Sequence, residues 1–177
     1  YISVTGVQTC ALPISREMLT LEPVLKKMPH VTFYWVGDGP YRELITSRLS
    51  KYENFKWLGH MQYPDQVREY LDEIDIYLLL SGIDMSPLTL LEAQLMEKPV
   101  IVTKVGGIPE LMSDGKTGFL MEREDHQTLI EKIDLLLQDE NKRKTIGKTG
   151  RQFVIENFNW QKIASNFIVS LKKYSLI

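Results

Sequence analysis

Apolar residues along the chain follow two alternating rhythms. Short continuous runs, VTFYWVG (31–37), FKWLG (55–59), DIYLLL (75–80), PVIVT (99–103) and GFLM (118–121), are separated by longer stretches whose apolar positions recur every three or four residues. The runs have the length and the β-branched and aromatic content of strands, and the stretches have the helical period. Helices are predicted over 41–50, 64–74, 87–97, 126–138 and 141–157. In 64–74, Pro64 stands at a first-turn position and Val67, Tyr70, Leu71 and Ile74 share one face. A last helix begins after Asn159, a suitable N-cap, with Trp160, Ile163, Ala164, Phe167, Ile168 and Leu171 forming one apolar stripe that is expected to pack in the core.

Strands alternating with helices of this length imply an α/β fold, a doubly wound parallel sheet with C-terminal helices. IYLLL and VIVT lack polar alternation, as strands covered on both faces do. Turn residues Gly37-Asp38-Gly39-Pro40, Gly106-Gly107 and Asp114-Gly115-Lys116-Thr117-Gly118 punctuate the pattern.

Composition narrows the function classes. A chain of 177 residues that is 44% apolar builds one core, so one main domain is expected. A net charge of −2 gives no footprint for nucleic acid, and no nucleic-acid partner is expected. No run approaches the length of a spanning helix, and the first residues lack the basic region of a secretory signal. The single cysteine, Cys10, forms no internal disulfide framework and points to a reducing, cytoplasmic setting. His30, His60 and His126 show no ligand spacing, so no metal and no cofactor are expected.

In an open α/β sheet, ligands sit beyond the carboxyl ends of the strands. The loop after IYLLL reads Ser81-Gly82-Ile83-Asp84-Met85-Ser86-Pro87-Leu88-Thr89-Leu90-Leu91-Glu92. Ser86 suits the cap of the following helix and Pro87 its first position. The unpaired amides of that first turn form an anion site at the strand end. Asp84 precedes the turn, and Glu92 lies about a turn and a half inside the helix. Two carboxylates flanking an anion pocket suit a ligand with hydroxyls at both ends and phosphates between, the shape of a nucleotide sugar.

Taken in order, VGDGP, WLG, an acidic residue seven positions before a glutamate, EKPVIVTKVGGIPEL, DGKTGFL and ENFNW resemble the C-terminal domain of retaining GT-B glycosyltransferases, more narrowly the group 1 (family 4) class. The resemblance runs from Arg16 to about Leu171 and implies a Rossmann-like half of a GT-B fold, whose last helix commonly reaches across to the partner domain and would be left partly exposed in a fragment. By position, Glu92 matches the glutamate that binds the nucleotide ribose, and Asp84 stands where the family usually has a glutamate for the donor-sugar hydroxyls. Met85, Ser86, Pro87, Leu88 and Thr89 match the turn approaching sugar and diphosphate. Gly59, His60 and Met61 match the region near the base, with Gly37 and Gly39 as further donor-loop candidates. Asp84 is one methylene shorter than the family's residue, a reach lost of about 1.3 Å.

Plainer readings stand beside these. Glu92 as a solvated helix carboxylate, Asp84 as a loop residue, Gly37 to Pro40 as a structural turn and His60 as surface all fit the same letters. The function implied is transfer of a sugar from a nucleotide sugar to an acceptor hydroxyl with retention, this chain supplying the donor-binding half. The fragment alone is expected to be inactive. The partners expected are an absent N-terminal acceptor-binding domain and a lipid-linked or polysaccharide acceptor at the cytoplasmic face of the membrane. A non-catalytic nucleotide-sugar-binding module and a GT-B-like sugar-nucleotide epimerase are the alternatives.

The head of the chain is different in kind. All 21 Lys and Arg and all 23 Asp and Glu follow residue 14. Residues 4–14, VTGVQTCALPI, match the translation of a common sequencing-library adapter at all eleven positions. Residues 1–14 are therefore expected to be non-native, and 15–177 to be the donor domain. The competing reading makes YISVTG the native first strand. In the family that strand ends in a Gly-Arg turn with a nearby lysine close to the diphosphate. Here only Arg16 stands near, and Pro23 would kink or shorten the helix over 17–27 that follows. Sequencing the source DNA across the codon for Arg16 is expected to reveal upstream codons for a strand, a Gly-Arg turn and a preceding α/β domain. Finding VTGVQTCALPI encoded at the start of the gene would overturn this.

Overall fold

The computed structural model describes residues 2–5 and 15–174, with only the backbone described at 2–5, 15 and 16. Six parallel strands stand in the order β3-β2-β1-β4-β5-β6: β1 (Ile2–Thr5), β2 (Phe33–Val36), β3 (Phe55–Gly59), β4 (Ile76–Leu79), β5 (Val100–Thr103) and β6 (Gly118–Met121). From β1 the chain winds outward to β3, returns to the middle, and winds the other way through β4 to β6. The point where the order reverses lies between β1 and β4. This is the expected doubly wound sheet, and it places the loop after β4 beside the reversal, where such sheets bind ligands.

Ile2–Thr5 fill the central slot assigned to them by the native-strand reading, paired with β2 on one side and β4 on the other. Most of the adapter-like segment, residues 6–14 with Cys10, lies outside the described residues.

The helices are α1 (Ser15–Met18), α2 (Leu21–Lys27), α3 (Arg42–Leu49), α4 (Asp65–Glu73), α5 (Leu88–Leu95), α6 (His126–Gln138), α7 (Glu140–Asn157) and α8 (Trp160–Lys173). Where one helix was expected over 17–27, the backbone turns at Leu19 and Thr20 and resumes as α2, with Pro23 in its first turn. There a missing N–H costs no helical hydrogen bond. Asn54 fixes the next connection by donating from Nδ2 to the carbonyls of Leu25, Met28 and Val31 at 3.0–3.2 Å.

The strand period of two sorts the core into two layers. Ile76, Leu78 and Leu80 pack with Ile101, Phe119 and the faces of α2, α3 and α6. Tyr77 and Leu79 pack on the opposite side with Val100, Val102, Leu71 of α4 and Leu90 and Ala93 of α5. Burial on both faces explains the unbroken apolar runs. Asp125 and Asp139 cap α6 and α7 by accepting the amides of Thr128 (3.0 Å) and Lys142 (2.8 Å).

One expectation fails. Asn159 does cap α8, accepting from the Lys162 amide at 2.8 Å, but no residue of α8 is buried. Trp160 is 81% exposed and Phe167 64%. The apolar period dictated an amphipathic helix, but among the described residues no element buries its stripe.

The turn from α5 into β5 is closed by α7. Glu97 adopts a left-handed φ of 58°, and its carbonyl lies 1.9 Å from where a Cβ on Gly147 would stand. Gly147→Ala should gain the usual helix propensity of about 0.5–1 kcal/mol and still lose stability overall, by about 1–3 kcal/mol, because rigid backbone must move. Urea denaturation measures the difference, and a stabilised variant would contradict the close packing.

Candidate functional site

The loop after β4 is held from two sides by backbone. Thr103, the buried last residue of β5, donates from Oγ1 to the Ser81 carbonyl (2.7 Å) and accepts the Ser81 N–H (2.9 Å). Two residues beyond Lys104 the chain enters Gly106, with φ 52°, and the Gly107 N–H donates to the Asp84 carbonyl at 3.0 Å. A Cβ on Gly106 would lie 1.9 Å from the Asp84 carbonyl oxygen, and one on Gly107 2.0 Å from that of Met85. The pair of glycines therefore does more than turn the chain after β5. It lets the β5 loop press against the β4 loop and fix the path of residues 84 and 85.

That path leaves Asp84 half-buried, and burial raises its carboxyl above the ordinary aspartate range. The Ser86 amide, the Ser81 hydroxyl and the Met85 amide act in the opposite direction without cancelling it. Ile83, Met85, Ser86 and Leu88 are exposed around it. α5 begins at Leu88, one residue later than expected. Pro87, in extended conformation, is its N-cap, and Ser86 makes no capping bond. A proline at the N-cap supplies no side-chain acceptor, so the Leu88 and Thr89 amides receive no cap from it, while the Leu90 N–H donates to the Pro87 carbonyl at 3.1 Å. Thr89 is turned inward, its hydroxyl accepting from Tyr77 at 2.7 Å.

Glu92, half-buried, stands in the wall of a groove of about 180 Å³ between α4 and α5, with Tyr63, Pro64, Val67, Arg68 and Met96. Pro64 is the N-cap of α4 rather than a first-turn residue. Gly59, His60 and Met61 leave β3 towards this groove, Gly59 with φ 74°, His60 exposed and Met61 half-buried.

Gly37 and Gly39 form a separate corner. The Gly37 N–H donates to the Gly59 carbonyl (2.8 Å), and its own carbonyl accepts from Trp57 Nε1 (2.8 Å). Gly39 closes an Asp38 turn at 2.7 Å, and the Arg42 guanidinium lies 5.4 Å over the Trp57 ring. These contacts brace the sheet edge.

Sequence reasoning missed Thr103, a polar residue ending an apolar strand, and an ion pair between a buried glutamate and a half-exposed arginine. Arg123 donates from Nη2 to Oε1 of Glu17 at 2.6 Å. The pair joins residues 106 positions apart, a distance no local pattern can register. The Arg16 side chain lies outside the described residues. Among the described residues, no cluster of three His, Cys, Asp or Glu is arranged to hold a metal, and no helix is long and apolar enough to cross a membrane.

Comparison with known proteins bears on the family and the fold. The model of the family "Glycosyl transferases group 1" matches residues 18–153. A sulfoquinovosyl transferase of Arabidopsis thaliana is 29% identical over 151 residues, covering 84% of this chain and 29% of that protein. An N-acetyl-alpha-D-glucosaminyl L-malate synthase of Bacillus anthracis is 36% identical over 132 residues, covering 75% of this chain and 35% of that protein. The chain thus spans about a third of the length of these relatives. Anabaena HepE, solved in complex with UDP, shares the fold with a TM-score of 0.79 at 22% identity, over 97% of this chain and 48% of that one. The C-terminal domain of LpcC from Francisella tularensis, a glycosyl transferase group 1 protein, does so with 0.73 at 21%, over 90% and 86%.

The strained carboxyl gives a sign. With its folded pKa raised, Asp84 disfavours the native state increasingly as pH rises through that value, and carries no penalty below the ordinary aspartate range. Asp84→Asn should therefore be more stable than the parent at neutral pH, with the advantage vanishing in acid. Denaturation curves across pH measure this. An advantage independent of pH would show that the carboxyl is not desolvated.

Proposed function

The chain belongs to the glycosyl transferases group 1 family, and from that premise we propose that it is the donor-binding half of a retaining, family 4 glycosyltransferase that takes a nucleotide sugar. The observation that carries this is the segment 81–92. It holds one half-buried carboxylate before an uncapped helix start and a second in an apolar groove beyond it, on a loop clamped by Thr103, Gly106 and Gly107.

In this reading Asp84 accepts hydroxyls of the donor sugar, the first-turn amides of α5 meet the diphosphate, and Glu92 accepts the ribose hydroxyls. The base lies towards Gly59, His60 and Met61. These groups orient the donor and stabilise the departing diphosphate, so the rate comes from positioning and electrostatics rather than from a protein nucleophile. The reading calls for no metal. The exposed stripe of α8 fits a helix that packs on a preceding acceptor-binding domain, and a chain about a third of its relatives' length is expected to be inactive alone. The acceptor is a lipid-linked sugar or a polysaccharide on the cytoplasmic side of a membrane.

Glu92→Ala should weaken binding of a nucleoside diphosphate by about 1–3 kcal/mol, the scale of charge-assisted hydrogen bonds lost from a carboxylate. Titration calorimetry with UDP and GDP reads this directly. Equal affinities in parent and variant would remove the ribose assignment.

A further inference from the structure

The ion pair between Glu17 and Arg123 has no place in the reading above. All six strands are parallel, so the residues following β1, β4, β5 and β6 share one rim of the sheet. Arg123 comes two residues after β6, and Glu17 lies in α1, which follows β1. Neighbouring strands lie about 4.8 Å apart, which puts the ends of β4 and β6 about 10 Å from each other. The Arg123 side chain spans that gap, because the Glu17 carboxylate it meets is pressed against Gly82. A Cβ on Gly82 would lie 2.3 Å from Glu17 Oε1 and 3.1 Å from Oε2. The guanidinium is thus delivered to the loop that carries Asp84, two residues before it.

The two partners differ in exposure. The Glu17 side chain is 3% exposed and that of Arg123 50%. Glu17 Oε2 is buried without a hydrogen-bond partner. A buried carboxylate with one oxygen unsatisfied is costly, and a surface arginine gains little from a single bond. As a device for stability the arrangement is poor. As a device for aiming a cation it is effective: one guanidinium N–H is anchored by Glu17, while half of the Arg123 side chain, with its planar fork of further donors, remains exposed.

Resting on the nucleotide-sugar reading, we infer that Arg123, held by Glu17 against Gly82, supplies the guanidinium that meets the donor's diphosphate, with Glu17 as its positioning residue. A planar fork suits two phosphate oxygens, and charge-assisted bonds of this kind change affinity by about ten- to a hundredfold.

The test is calorimetric titration of the chain with UDP and GDP, each against its nucleoside, uridine or guanosine. The variant carrying both Glu17→Gln and Arg123→Gln leaves no lone buried charge. It should bind the diphosphate ten- to a hundredfold more weakly, bind the nucleoside as before, and lose part of the salt dependence of diphosphate binding. Arg123→Lys keeps the pair without the fork and should fall between the two, and it decides the matter if the double variant does not fold. Diphosphate affinity unchanged in either folded variant overturns the inference. So does an equal loss for diphosphate and nucleoside, which would mark a purely structural role. A parent chain that binds neither diphosphate nor nucleoside removes the nucleotide-sugar reading itself, and the inference with it.

Discussion

The architecture of the site depends on one close approach: the backbone of Gly106 and Gly107 against the carbonyls of Asp84 and Met85. A parallel sheet delivers its loops to a common rim but leaves them independent of one another. Here the loops after β4 and β5 are joined by the Gly107 N–H to Asp84 carbonyl bond and, at their roots, by Thr103 on Ser81. The segment held in this way carries the half-buried Asp84 carboxyl, which burial raises above the ordinary aspartate range. A site that works by orientation needs its groups fixed before the ligand arrives, and the two loops supply that rigidity to each other.

Much of this was legible in the sequence. FKWLG, GFLM and the helix over 126–138 appear at the expected residues, because strong period and clear turn residues agreed there. The segment 81–92 could be singled out because it follows an unbroken apolar strand and opens a helix with Ser-Pro. The details of that opening were not legible. Whether Ser86 or Pro87 is the cap depends on a one-residue shift that either residue tolerates, and the extended conformation of Pro87 decided it. Nor could the letters reveal that Gly106-Gly107 forms a wall against another loop. A turn and a close approach call for the same residue.

Two kinds of feature escaped sequence reasoning altogether. Glu17 and Arg123 are brought together by topology alone, and each reads locally as an ordinary charged residue at a helix start or strand end. The stripe of α8 was read correctly as amphipathic and wrongly as core. Period reports that a face is apolar and says nothing about which molecule or domain covers it. The contrast with β4 is instructive: its unbroken run demanded cover on both faces, and the same chain provides it.

The clamp acts on carbonyl oxygens rather than on side chains, and this bears on how such a site changes over generations. Ile83 and Met85 are exposed, and the hydrogen bond at residue 84 belongs to its backbone. The cross-loop contacts at residues 84 and 85 are made to carbonyl oxygens and persist when the side chains there are exchanged, while the Asp84 carboxyl adds contacts of its own to Ser81, Met85 and Ser86. Glycines 106 and 107 have no such freedom. The demand on residue identity is thus concentrated in two residues that bring no chemistry of their own, which leaves the side chains of the β4 loop freer to change.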